Sequence, residues 1–225
     1  LALEPGRHDI AVVEVSSYQL ELPGSFRPDF AAALNLTPDH LARHGNMEAY
    51  GEAKRRIFQQ QTESDVAISP KGDPRLHARS PAQKIWLDAF PGARISEGEI
   101  HLEGTRAEGT ADLSELRLLG RHNLQNVSAA VLLAVSAGVG LGQLDLGKLL
   151  PLDHRLQTVH ESQGIKWIND SKATNIEAAM AGIAGVPGPQ ILLLGGQGKK
   201  GADYGQLVVH AEERARLVVC FGAAG

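Results

Sequence analysis

Four groups of residues have the types and spacing for chemistry. The first is Asn169-Asp170-Ser171-Lys172-Ala173-Thr174-Asn175, which follows the apolar run Ile165 to Ile168. Asn, Asp and Ser favour turns because their side chains bond nearby backbone. Thr174-x-x-Glu177 reads as a capping box opening a helix through Ala178, Ala179 and Met180. Lys172 then lies beside a helix N-terminus, a place that favours anions. An ordinary strand–helix junction with a solvated lysine fits the same residues. The second group is Gly195-Gly196-Gln197-Gly198-Lys199-Lys200, where glycines let a backbone approach a ligand and lysines supply charge for an anion. It is not the phosphate loop G-x-x-x-x-G-K-[ST], since Gly201 stands where Ser or Thr is needed. The third is Asn123 and Asn126, three apart, whose amides share a helix face and suit a base or sugar edge; such residues also simply cap helices. The fourth is Glu14, His40 and Lys54. Glu14 interrupts an apolar run, and a carboxylate buried there without a partner is costly, so it faces a cleft, a cation, a metal or water.

These residues need elements to hold them. Asp9 to Val15 and Phe30 to Leu36 read as buried parallel strands, the second ending in Thr37-Pro38-Asp39-His40. That would set Glu14 and His40 at one edge of a sheet. Asn46 to Gln61 reads as an amphipathic helix through Met47, Tyr50, Ala53, Ile57 and Phe58, with Lys54 on or beside its apolar face. Val66 to Ser69 is a short strand, Pro70 to Ser80 an exposed loop, and Ile100 to Leu102 and Ala111 to Leu118 small antiparallel strands. A helix covers Val127 to Gly138, and a loop with a short helix follows to Leu150. Pro151 to Arg155 marks a domain boundary. Beyond it come strands at Leu156 to Glu161, Ile165 to Ile168, Gln190 to Leu194 and Leu217 to Phe221, with helices after Asn175 and over Tyr204 to Arg214. Strands alternating with helices predict an α/β fold with a mostly parallel sheet.

Composition removes several classes. A formal net charge of -4 without a long basic run argues against nucleic acid. No apolar run reaches the ~20 residues that span a bilayer. The single cysteine, Cys220, cannot form an internal disulfide, and a reducing cytoplasm fits it.

Seven runs occur in an order that resembles the Mur ligase family, the cytoplasmic enzymes that add amino acids to the peptidoglycan precursor. They are Glu14-Val-Ser-Ser-Tyr-Gln-Leu-Glu21, Asn35-Leu-Thr-Pro-Asp-His40, Ala53-Lys54, Gly120-Arg-His-Asn-Leu-Gln-Asn126, His154-Arg155, Asn169 to Asn175 and Gly195 to Lys199. The first and sixth look like the D-glutamate-adding branch. The resemblance implies a P-loop-type central ATPase domain, here 1–152 and lacking its beginning, then part of a Rossmann-like C-terminal domain, 153–225. It implies ATP, D-glutamate and UDP-N-acetylmuramoyl-L-alanine as partners, two magnesium ions, and a monomer with no nucleic-acid or membrane partner. Glu14 and His40 would bind magnesium, and Lys54 would be carbamylated near the second ion. Asn123, Asn126, Arg155 and Asp170 would contact the nucleotide. Lys172, Thr174 and Lys199 would hold the amino-acid substrate, with Lys54, His40 and Lys172 at the chemistry.

The family's phosphate loop and uridine-nucleotide domain, expected upstream of Glu14, are not in this sequence, nor is the end of the C-terminal domain. The expectation is a ligase fragment without turnover by itself. Two other readings stand beside it: a folylpolyglutamate synthase-like ligase, with the same metal chemistry and another acceptor, and a non-catalytic nucleotide-binding module.

Overall fold

A computed structural model of the protein describes residues 10–39, 41–197 and 204–222. The chain divides into two units, 1–84 and 85–225.

In the first unit, strand β1 (Phe30–Ala32) pairs in parallel with β2 (Val66–Ser69). The link between them holds helices α1 (Leu41–His44) and α2 (Met47–Arg55), then a 3-10 turn at Arg56–Phe58. The Asn46 side chain accepts from Ala49 N–H at 2.9 Å and starts α2. Glu48 in the first turn and Lys54 and Arg55 in the last complement the helix dipole. Tyr50 and Phe58 bury themselves against Ala31, Ala33, Leu36 and Ala67, as the periodicity predicts. Each fully buried side chain of this kind contributes roughly 1.5–3 kcal/mol. Asp65, just before β2, is buried and held by Arg27 at 2.9 and 3.0 Å and by Thr62 N–H at 2.6 Å. The 70–80 loop is pinned by Leu76, which is fully buried.

One expected strand does not form. Residues 10–16 carry no strand, and Ile10, Val12 and Val13 are exposed, with Val12 at 93%. A β-branched run becomes a strand only by pairing its backbone, and no described residue pairs with it. Glu14 therefore sits on an exposed extended segment.

Strand β3 (Gln83–Trp86) crosses the 84/85 division, and in the second unit its Trp86 pairs in parallel with Gly92 of β4 (Gly92–Ser96). Strands β4, β5 (Glu99–Glu103) and β6 (Gly109–Asp112) form an antiparallel meander. Helix α3 (Arg121–Ser136) packs on β4 and buries Val127, Val131, Leu132 and Val135. Two 3-10 turns follow, at Leu141–Gln143 and Leu146–Lys148. Next come the hairpin β7 (Gln157–Ser162) and β8 (Ile165–Asn169), helix α4 (Ile176–Gly185), β9 (Gln190–Gly195), α5 (Tyr204–Glu212) and β10 (Ala215–Phe221). Strands β9 and β10 run parallel, and Ile183, Leu207 and Ala211 form a small core with Leu192 and Leu194. The α/β class read from the sequence is the class observed.

Two details differ from expectation. The run Ile165 to Ile168 forms its strand, but Ile165 and Trp167 stay exposed because β8 pairs only with β7 among the described residues. Helix α4 is capped by Asn175, not Thr174: the Asn175 side chain accepts from Ala178 N–H at 2.7 Å. Asn is the stronger N-cap, and its extended backbone takes the capping position one residue later. No single helix among the described residues is long and apolar enough to cross a membrane.

Candidate functional site

In the first unit, Lys54 is half-buried on α2. Its Nζ donates to the Asn35 carbonyl at 3.0 Å and lies 4.9 Å from the Tyr50 ring centroid. Burial pushes the amine below its ordinary pKa, against the pull of the nearby Asp39 charge. Tyr50 stacks on His44 at 4.9 Å, and His44 Nε2 lies 3.1 Å from the Ser17 hydroxyl. Arg43 donates to both oxygens of the Glu21 carboxylate, from Nε at 3.0 Å and Nη2 at 2.6 Å. The Ser16 to Glu21 turn is thereby tied to α1 and, through the His44–Tyr50 stack, to α2. Sequence reasoning missed Arg43 and His44, whose hydrogen-bond partners Glu21 and Ser17 lie more than 20 positions away. Only their place just before the Asn46 cap was visible.

His40 and Lys199 lie outside the described residues. Among the described residues, no three His, Cys, Asp or Glu side chains converge. The donor chemistry that is described fits the implied groups in part. An amine whose charged form is disfavoured can react with carbon dioxide as the neutral base. Carboxylate and carbonyl oxygens of the Glu14 and Asn35 kind suit a hard cation such as magnesium.

In the second unit, Asn123 and Asn126 share one face of α3, as their spacing predicts. Asn123 is buried and donates to the Leu119 carbonyl at 2.7 Å, and Asn126 Nδ2 reaches Asn123 Oδ1 at 3.5 Å. Arg155, Asp170 and Lys172, drawn from two separate runs, come together at two facing turns. Asp170 Oδ1 accepts from Leu156 N–H at 3.0 Å, and Lys172 N–H donates to the His154 carbonyl at 3.0 Å. Arg155, Lys172 and Thr174 are exposed. His154 and Leu156 flank Arg155 with left-handed backbone, φ +66° and +45°, although neither is glycine. Burial raises the Asp170 carboxyl above its ordinary pKa, against the Leu156 N–H and the charges of His122 and Arg155. The carboxylate fits because Gly182 on α4 has no side chain: a Cβ there would lie 2.3 Å from Asp170 Oδ2. Three residues on, a Cβ on Gly185 would lie 2.9 Å from the Gly120 Cα that begins α3.

Residues 1–134 match the Mur ligase middle domain, and residues 154–225 match the Mur ligase glutamate ligase domain. The chain belongs to the Mur ligase family. Its relatives include a UDP-N-acetylmuramoylalanine--D-glutamate ligase of Anaeromyxobacter dehalogenans, 42% identical over 88% of this chain and 47% of the relative. The ligase of the same name from Acidobacterium capsulatum is 40% identical over 95% of this chain and 49% of the relative. This Mur ligase chain spans about half the length of the curated relatives it matches. Among solved structures, MurF from Acinetobacter baumannii superposes with a TM-score of 0.69 at 21% identity, covering 92% of this chain and 49% of that one. At that identity the likeness speaks for the fold alone.

Proposed function

We propose that these residues take part in the ATP-dependent joining of D-glutamate to UDP-N-acetylmuramoyl-L-alanine, a cytoplasmic step in peptidoglycan precursor synthesis. The observation that carries this reading is the 40–42% identity, across 88–95% of the chain, to ligases of that name. In the reaction, the γ-phosphate of ATP passes to the substrate carboxylate. The D-glutamate amine then attacks the acyl phosphate, and phosphate leaves. We take the domain boundary at 152/153, a reading supported by the gap between the two matched regions, 1–134 and 154–225.

The residue roles in this reading are those that the family resemblance implies. Asn123 and Asn126 line the nucleotide site, with the buried Asn123 holding Asn126 in place, and Arg155 and Asp170 join them. Lys172, Thr174 and Lys199 bind the carboxylates of D-glutamate, and Lys172 also shields charge on the transferred phosphoryl group. Glu14 and His40 would hold magnesium, with carbamylated Lys54 supplying a further anionic oxygen. The metal, when bound, neutralises charge building on the phosphoryl oxygens. The depressed basicity of Lys54 supports its part in this, because the carbamate forms from the neutral amine.

Acceptor-dependent phosphate release by the native enzyme tests the reading. Release should require UDP-N-acetylmuramoyl-L-alanine together with D-glutamate. Release with L-glutamate and a folate acceptor instead would move the chain to the folylpolyglutamate synthase branch.

A further inference from the structure

The two turns that bring Arg155 and Asp170 together are joined by a side chain with no role so far. Asn169 ends β8. Its Oδ1 accepts from Ser171 N–H at 3.0 Å, which fixes the turn carrying Asp170 and Lys172. Its Nδ2 lies 2.9 Å from His154 Nδ1. With the amide oxygen committed to Ser171, Nδ2 is the donor, and His154 Nδ1 must offer a lone pair. The Lys172 N–H to His154 carbonyl bond and the Leu156 N–H to Asp170 bond run across the same gap. Together they span both sides of Arg155.

The backbone says the same thing independently. Side-chain-bearing residues with φ > 0 are uncommon and persist where surrounding structure over-determines them, often at ligand sites. Here two of them bracket one exposed arginine. The cross-turn bonds are what hold them there.

We propose that Asn169 is a positioning residue for the nucleotide: through His154 it clamps the 154–156 turn to the 169–172 turn and so sets the distance between Arg155 and Asp170. This rests on the reading of those two residues as nucleotide contacts. Without the clamp, the nucleotide must order both turns as it binds, and preorganisation is lost from the affinity.

The test uses the full protein and magnesium ADP, with affinity read by calorimetry and the Lys172 amide read by hydrogen exchange. Asn169→Ala and His154→Ala should each weaken ADP about five- to tenfold and speed Lys172 exchange. The double variant should be no worse than Asn169→Ala, because the bond that His154→Ala removes is already absent there. His154→Asn should restore both readouts: its carbonyl can accept from Asn169, and Asn tolerates positive φ. If Asn169→Ala fails to fold, the contrast between His154→Ala and His154→Asn carries the test. Wild-type ADP affinity in Asn169→Ala, or equal loss in His154→Ala and His154→Asn, overturns the proposal. A wild-type protein that binds no ADP, while Lys172 exchange still responds to Asn169→Ala, removes the ligase reading and the nucleotide role of the clamp together.

Discussion

Gly182→Ala isolates the contact between α4 and the Asp170 turn. In an exposed helix interior this exchange stabilises by roughly 0.5–1 kcal/mol, because alanine loses less backbone freedom on folding. Here the sign reverses. The new Cβ would stand 2.3 Å from Asp170 Oδ2, and contacts under 3.0 Å are essentially never populated, so the carboxylate must retreat by at least 0.7 Å. Such a move strains or breaks the 3.0 Å bond from Leu156 N–H. Overpacking of this kind costs about 1–3 kcal/mol, and losing the bond adds roughly 1 kcal/mol. Less the helix gain, the net destabilisation is about 1–3 kcal/mol, or a fall in Tm of roughly 3–10 °C by thermal melt. The same substitution in an Asp170→Ala background should stabilise, since the next contact, Leu156 Cδ2 at 3.7 Å, is ordinary. Equal destabilisation in both backgrounds would refute the reasoning.

Three further outcomes follow from the same physics. Asp65→Ala should cost about 2 kcal/mol, because Thr62 N–H and the Thr62 hydroxyl lose a buried acceptor. Arg27 and Thr62 hold the Asp65 carboxyl well below its unfolded pKa, so this stability is full above the unfolded value and is lost as pH falls towards the depressed one. An acid series of melts should accordingly show a shallower loss in Asp65→Asn than in wild type. Asn175→Ala should destabilise α4 by about 1 kcal/mol while Thr174→Ala leaves the melt nearly unchanged; the reverse order would restore the capping box. With 13C-labelled bicarbonate, carbon NMR of the wild type should show a carbamate signal that Lys54→Arg lacks, and a signal kept in Lys54→Arg would place the modification elsewhere.

Local chemistry carried much of this fold into view. The stripe of Met47, Tyr50 and Ala53 predicted α2, although the helix expected to Gln61 ends at Arg55 and passes into a 3-10 turn, and the β-branched Val66 to Ser69 predicted β2. The pairing of Asn123 with Asn126 was visible for the same reason: three residues on a helix are neighbours. Properties set by distant chain were hidden. Ile10 to Val15 has a strand's composition, but composition supplies no pairing partner. Trp167 looks like core by hydropathy and is exposed, since burial depends on what covers β8. The meeting of the 154–156 and 169–172 turns depends on a left-handed Leu156, a backbone state that leucine's type argues against. Asp170 was found by motif, while Gly182, which makes room for it, lay inside an unremarked alanine-rich helix.

The abutment of Gly185 and Gly120 has a consequence for how the sequence can change. Side-chain contacts drift gradually, one methylene traded for another with a compensating rotamer nearby. A seam of bare backbone offers no such gradation: a methyl on Gly185 forces α4 off the head of α3, and no torsion on that helix absorbs it. Geometry alone keeps a side chain out of this position, with or without a role in chemistry. Relatives that have lost Gly185 should have re-seated the whole helix, a shift detectable as a changed crossing of α4 over α3.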